Sequence, residues 1–311
     1  MNRLSAKSVG VAWLFIGMSL KAGTGVAAAE SHLVVEVSEG RVLSARNENQ
    51  PRQVASLTKI AATLVALEWC AERSIDATRW TFSVPAAAVR GGANPMGLKA
   101  GDRLSLETGL RAAMMASDNT STHAFAEAIG REMVAGTEAG KGVEVFVERM
   151  NGLAVRLGMN DTRFVNPHGL DEGAKNGVST AADLARLSLA AIGRPGFLAE
   201  VSALEKEKTV SFHRGGQTVS VKLTNTNEIV GSWGIDGLKT GTTRLSGPCL
   251  IATATRGVRG GGAVSNHRLL VVLLDAEDRF GEAVLLLDRG WSALAAGVES
   301  DSKQRLRKEV D

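Results

Sequence analysis

Ser56 and Lys59 stand three residues apart at the head of a stretch containing Ile60, Ala61, Ala62, Leu64, Val65, Ala66, Leu67, Trp69 and Cys70. A helix apolar on every side is a buried helix. The spacing therefore puts Ser56 at the N-terminus of a buried helix, with Lys59 one turn on and on the same face. A serine at such a place commonly does no more than cap the helix. It becomes a nucleophile only if a base takes its proton. A lysine can be that base when neutral, so its ordinary pKa of about 10.4 must be pulled down by burial or by a second cation. The apolar helix offers burial, and its N-terminus offers N–H groups to a developing oxyanion.

Two later stretches carry groups that such chemistry needs. Ser117-Asp118-Asn119 interrupts a helical pattern. A small polar turn is unremarkable there, but it also projects a hydroxyl and an amide: Ser117 as a proton relay to a leaving amine, Asn119 as a holder of Lys59 and of a substrate amide. Asp118 is assigned to the helix cap. Lys239-Thr240-Gly241 lies within Gly237 to Thr243. Lys239 is the second cation that Lys59 requires, Thr240 can bond a substrate carboxylate, and Gly241 leaves room for a ligand lying along the strand.

The elements that position these residues follow from periodicity and breakers. His32 to Arg46 reads as a hairpin and Trp80 to Val84 as a short strand, with Gly91 to Pro95 as a loop. From Leu104 the period is helical: Leu106, Leu110, Met114 and Met115 share a stripe, Phe125, Ala126 and Ile129 continue after the break, and Val143 to Leu157 forms a third helix. Thr180 and Asp183 start a fourth in the manner of a capping box. Strands return at Thr209–Phe212 and Thr218–Val221 around Gly215-Gly216, then at Ile235–Gly241, Cys249–Thr255 and Leu269–Leu274. A last helix spans Arg279 to Ala296 and a polar tail covers 299–311. The order implies an α+β fold: the hairpin and the three late strands make an antiparallel five-stranded sheet, the last helix packs on it, and the middle forms a mostly helical lobe.

The chain has 311 residues, 44% hydrophobic and 22% charged, an ordinary globular balance. Residues 1–29 have the layout of a secretory signal: Arg3 and Lys7, an apolar run from Val9 to Leu20, then Val26-Ala27-Ala28-Ala29, with a cut expected before Glu30. Without its three basic residues the rest carries 33 basic and 33 acidic side chains. The pI of 9.0 therefore belongs largely to the signal, and nothing points to a nucleic-acid surface. Residues 30–298 are expected to form one two-lobed catalytic domain. The two cysteines, Cys70 and Cys249, lie in apolar runs and read as buried thiols. The five histidines show no metal-ligand spacing, so no metal and no cofactor is expected.

S-x-x-K, S-D-N and K-T-G are together the motif set of penicillin-binding proteins and class A β-lactamases. The chain resembles the low-molecular-mass penicillin-binding proteins of the D-alanyl-D-alanine carboxypeptidase family, with a serine β-lactamase/DD-peptidase-like fold. The likeness runs from about Leu33 to about Trp291 and includes Phe164-Val165-Asn166-Pro167-His168-Gly169-Leu170, Asn225-Thr226-Asn227, Gly247-Pro248-Cys249-Leu250 and Arg279-Phe280.

The resemblance implies attack by Ser56 on the D-Ala-D-Ala bond of peptidoglycan stem peptides, loss of the terminal D-Ala, and hydrolysis of the acyl-enzyme. It implies β-lactam antibiotics as covalent inhibitors, an oxyanion hole from the N–H groups of Ser56 and Thr242, and a carboxylate contact from Arg279. His168 is expected to be structural. D,D-endopeptidases that cut cross-links share the same motifs. A class A β-lactamase needs a glutamate in an E-x-x-L-N loop, and no such string occurs. A Tyr-based second motif is excluded because the chain has no Tyr. A non-catalytic wall-binding or β-lactam-sensing module does not account for the intact set. The segment after Trp291 is too short for the second β-domain and amphipathic anchor of many relatives, so a soluble exported protein of the periplasm or cell envelope is expected.

Overall fold

The computed structural model describes residues 28–134, 141–171, 173, 176–201, 204–260 and 263–308. The expected signal segment lies outside them, apart from Ala28 and Ala29.

A five-stranded antiparallel sheet runs in the order β2-β1-β9-β8-β7. Its strands are β1 (Ser31–Glu36), β2 (Arg41–Arg46), β7 (Ile235–Thr243), β8 (Gly247–Gly260) and β9 (Ala263–Leu274). The N-terminal hairpin thus pairs with the late strands, as expected. Alternation sorts the side chains by face. Leu250, Ala252, Ala254, Leu269, Val271 and Leu273 meet Ala283, Leu286, Leu287, Trp291 and Leu294 of α7 (Arg279–Lys308). Cys249, Ile251, Leu270, Val272 and Leu274 face the other way, into one continuous core with the helical lobe. The middle of the sheet is covered on both sides, so β8 and β9 read there as unbroken apolar runs.

α1 (Lys59–Arg73) is the axis of that second core. Every residue from Lys59 to Leu67 is buried, as are Trp69 and Cys70. Each Leu, Ile or Val so enclosed contributes roughly 1.5–3 kcal/mol. The helix ends where Ser74 turns left-handed (φ 54°) and returns its N–H to Ala71 O. Around α1 lie α2 (Leu106–Met115), α3 (Asn119–Met133), α4 (Gly142–Arg156) and α5 (Ala181–Gly193). A short α6 (Phe197–Glu200) follows α5. Edge-on rings join the lobe: Trp69 on Trp80 at 4.9 Å, Phe82 on Phe125 at 6.4 Å, Phe125 on Phe146 at 6.1 Å.

Four features depart from expectation. A second antiparallel sheet links β3 (Thr81–Ser83), β4 (Arg103–Ser105), β5 (Glu207–Arg214) and β6 (Gln217–Thr224). The helix expected from Leu104 starts only at Leu106, because Ser105 caps it by accepting from Thr108 N at 3.2 Å. β8 and β9 extend well past Thr255 as a polar ribbon carrying Arg256, His267 and Arg268. α7 continues to Lys308, beyond the expected end at Ala296 and into the segment read as tail; residues 309–311 lie outside the described residues. Thr180 does cap α5, accepting from Asp183 N at 3.0 Å. Asp183 does not return the bond; its carboxylate takes Asp161 N, Thr162 Oγ1 and Arg186 instead. Cys70 and Cys249 are both free and buried, as expected.

Candidate active site

Ser56 sits in a 3₁₀ turn, Ala55–Thr58, that leads directly into α1. The turn opens on Ala55 with φ +47°, a left-handed conformation costly for a residue with a Cβ. Two glycines hold it there. Gly169 (φ +80°) lies so close that a Cβ would come within 1.9 Å of Ala55 O and 2.8 Å of Thr58 Oγ1. Gly241 of β7 approaches from the other side, where a Cβ would stand 3.0 Å from Ser56 N and 3.0 Å from Ala55 Cβ. Gly241 therefore has a further role besides the expected one: the strand abuts the nucleophile turn itself.

Lys59 is completely buried and its Nζ bridges three elements. It lies 2.9 Å from Ser56 Oγ, 2.6 Å from Asn119 Oδ1 and 2.8 Å from His168 O. Burial, then the charge of Lys239, pulls its pKa well below the ordinary lysine range, against an opposing pull from Asp118. A neutral amine has two N–H donors and one lone pair. The oxygens of Asn119 and His168 can only accept, so they take the two N–H groups. The lone pair is left for the Ser56 hydroxyl proton. The three contacts fit an amine acting as base toward Ser56.

The second motif is held by its own turn. Ser117 is left-handed (φ 58°) and stops α2, while Asp118 begins α3. The buried Asp118 carboxylate accepts from Ser121 N at 2.7 Å and from Met96 N at 3.1 Å, so it caps α3 and ties down the Gly91–Leu98 loop. Its pKa is raised by burial, against those hydrogen bonds and Lys59. Asn119 N donates to Ala93 O at 2.8 Å. With backbone and carboxylate fixed, Asn119 points at Lys59. Ser117 is half-buried, and its hydroxyl has no hydrogen-bond partner among the described residues.

β7 carries the third motif along the edge of the main sheet. Lys239 is buried and donates to Thr240 O at 2.9 Å; burial, then Arg279, pulls its pKa down to about 7. Thr240 Oγ1 lies 2.5 Å from Thr226 Oγ1. Thr226 N in turn donates to Met115 O at 2.9 Å, so the Asn225-Thr226-Asn227 stretch ties β7 to the end of α2. Arg279 acts on Lys239 by charge, while its hydrogen bonds go to the strands. Its Nη1 braces the strand through Gly241 O at 3.0 Å and Thr242 Oγ1 at 2.8 Å, with the guanidinium 4.9 Å over the Phe280 ring.

Two contributors escaped the sequence reading. The His168 carbonyl is a main-chain group and leaves no mark on residue type. The Asn166 side chain shapes the loop behind it, accepting from Gly169 N at 2.6 Å and donating to Leu170 O at 3.0 Å. The His168 ring is buried, and that burial, then Lys59 and His123, lowers its pKa to about 3. Thr226 is the other; its signal was the quoted Asn225-Thr226-Asn227 string, to which no role was attached.

A sheet backed by one terminal helix, a helical lobe, and a Ser-Lys pair at their junction define the DD-peptidase fold of penicillin-binding proteins. The chain belongs to the D-alanyl-D-alanine carboxypeptidase family, whose model matches residues 19–277. It is 32% identical over 276 residues to the D-alanyl-D-alanine carboxypeptidase DacC of Escherichia coli (strain K12), covering 85% of this chain and 61% of that protein. The chain thus spans about six tenths of that relative's length. It is 29% identical over 292 residues to a D-alanyl-D-alanine endopeptidase of Pseudomonas aeruginosa, covering 90% of this chain and 84% of the relative. Among solved structures it is similar to penicillin-binding protein D2 of Listeria monocytogenes in its ampicillin-bound form: 30% identity, TM-score 0.66, 85% of this chain and 97% of that one.

Proposed function

We propose that the protein is an exported serine D-alanyl-D-alanine carboxypeptidase acting on peptidoglycan stem pentapeptides. The observation that carries the reading is the Lys59 amine, buried and shared among Ser56, Asn119 and His168. Lys59 accepts the Ser56 proton as Oγ attacks the carbonyl carbon of the D-Ala-D-Ala bond. The oxyanion is held by the N–H groups of Ser56 and Thr242. Ser117 passes a proton to the departing D-Ala amine, and water then releases the acyl group from Ser56. Asn119 keeps the Lys59 lone pair aimed at Ser56 and bonds the substrate amide. Lys239 and Thr240 take the terminal carboxylate, Gly241 lets β7 lie against the nucleophile turn, and Arg279 braces the strand. Residues 30–298 act as the catalytic domain. β-Lactams acylate the same serine; the Listeria relative bound to ampicillin supports this.

A second reading, D,D-endopeptidase, is favoured by one observation: the Pseudomonas relative that the chain covers over most of its length is an endopeptidase. Two measurements separate the outcomes. Intact mass and peptide mapping after penicillin treatment are expected to show one adduct, on Ser56; an unlabelled protein, or an adduct elsewhere, sinks the acyl-enzyme mechanism. Purified protein is expected to release D-Ala from monomeric pentapeptide muropeptides. Cleavage of cross-linked dimers alone makes it an endopeptidase. Export to the periplasm or envelope rests on the sequence of residues 1–29; among the described residues no helix is long and apolar enough to cross a membrane.

A further inference from the structure

β7 is an edge strand of the main sheet, and Pro248 fixes which way its backbone faces beyond the third motif. Thr242 pairs with Pro248 in the antiparallel ladder. Proline has no N–H to give, and Pro248 O is taken by Ala276 N at 2.8 Å. Thr242 is thus left out of the ladder bonds, and its N–H and C=O both face the free edge. Thr243 turns its own N–H back to Ser246 Oγ at 2.9 Å. Side chains alternate along a strand. Gly241 faces the Ser56 turn, so Thr243 lies on that same face, and its hydroxyl donates to Asp171 Oδ1 at 3.0 Å. Asp171 is half-buried and directly follows the loop in which Asn166 holds Gly169 N and Leu170 O. Among the described residues it makes no ion pair.

We propose that Asp171 selects substrates by a side-chain ammonium on the residue just before the D-Ala-D-Ala unit. The inference rests on the carboxypeptidase reading, which puts the attacked carbonyl on Thr242 N–H and the terminal carboxylate at Lys239 and Thr240. Those two anchors make the peptide run antiparallel to β7. The penultimate D-Ala is then opposite Thr242, and the residue before it is opposite Thr243. Directly opposed residues of an antiparallel pair share a face, with Cβ atoms about 5 Å apart. For an L residue, the side chain opposite Thr243 therefore extends on the face where Asp171 stands. A flexible stem ending in an ammonium reaches that carboxylate, whereas a neutral end gains only an ordinary hydrogen bond.

Two peptides ending in D-Ala-D-Ala and differing only at the preceding residue, L-Lys or Nε-acetyl-L-Lys, are compared by kcat/KM for D-Ala release. The lysine peptide is expected to be favoured about three- to fivefold, and the preference to shrink as salt rises. Asp171→Asn keeps an acceptor for Thr243; its ratio is expected to fall to about one, and that of Asp171→Lys below one. No preference in the parent, or one that survives Asp171→Asn, overturns the proposal. The parent's ratio and its salt dependence decide the matter where a substitution damages folding. Turnover is not required, because the same peptides compete with a fluorescent penicillin for Ser56. Stronger protection by the lysine peptide without D-Ala release keeps the subsite and refutes the carboxypeptidase reading. Equal protection by the two peptides, or none from either, refutes the subsite.

Discussion

Asn119→Asp is the sharpest test of how Lys59 works. The change is isosteric, so the backbone bond to Ala93 and the cap by Asp118 persist. What changes is charge: a carboxylate replaces a neutral oxygen 2.6 Å from Lys59 Nζ. At an effective dielectric of about 20, that separation corresponds to about 6 kcal/mol of attraction for the ammonium form. Even if half of this is lost to burying the new carboxylate, ~3 kcal/mol remains, worth about a hundredfold in the population of neutral amine. The second-order rate of penicillin acylation at pH 7 is therefore expected to fall about a hundredfold. The sign of its pH dependence is fixed as well. A raised Lys59 pKa means that neutral amine returns as pH rises, so the variant recovers roughly tenfold per pH unit. The parent, whose Lys59 is already pulled down by burial and Lys239, shows no comparable alkaline recovery. Asn119→Ala serves as the control for mere damage: it removes the acceptor without adding charge and loses rate with no alkaline recovery. Stopped-flow acylation with a chromogenic cephalosporin between pH 6 and 9.5 reads all three proteins. An Asn119→Asp variant that acylates normally, or falls with no recovery at high pH, refutes Lys59 as the neutral base.

Three further outcomes follow from the same geometry. Lys239 has a folded pKa of about 7 against an unfolded value of 10.5, so the unfolded chain binds more protons between those values and stability rises with pH across that window; Lys59 adds in the same direction. Scanning calorimetry should show Tm climbing from pH 7 to 9, and Lys239→Met should flatten the climb while abolishing acylation. Gly169→Ala and Gly241→Ala are expected to differ in kind. The first drives a Cβ to 1.9 Å from Ala55 O at φ +80° and costs folding, read as a large Tm loss; the second meets its neighbours at 3.0 Å and costs acylation with little loss of Tm. A stem peptide with its C-terminal carboxylate amidated should be hydrolysed more than ~10-fold more slowly, because the paired charge-assisted bond to Lys239 is lost; equal turnover would remove Lys239 from carboxylate recognition.

The main sheet and α1 were legible because their burial is large and periodic. Leu269 to Leu274 and Ile60 to Leu67 leave no solvent face, and only an interior position suits them. The pairing of Ser56 with Lys59 was legible because a helical start fixes which residues share a face. The remaining features lie where side-chain pattern carries no information. β4 is three residues long and owes its strand state to β3 and β5. The His168 carbonyl reaches Lys59 because Asn166 folds the loop and Gly169 lets it approach Ala55, which no hydropathy pattern records. The polar ends of β8 and β9 pair along their ladder, with His267 and Arg268 reaching the carboxylates of Glu36 and Asp236. The contact of Gly241 with the Ser56 turn could not be read either, since a strand glycine marks a close approach without saying what approaches.

The two lysines explain why the site is built across the junction of the lobes. Lys59 needs to be neutral and Lys239 needs to be charged, yet both are fully buried. Burial alone pulls both pKa values down and distinguishes neither. Their neighbours do not separate them either: each has a like charge nearby, Lys239 beside Lys59 and Arg279 beside Lys239, and only uncharged oxygens within bonding distance, so the difference has to come with a ligand. A carboxylate arriving at Lys239 favours its charged form. A firmly charged Lys239 in turn holds Lys59 neutral. In the proposed mechanism, recognition of the substrate's terminal carboxylate on the sheet side would thereby prepare the base on the helical side. The two lysines are 180 residues apart in sequence, and the contact of Gly241 with the Ser56 turn brings their elements into register.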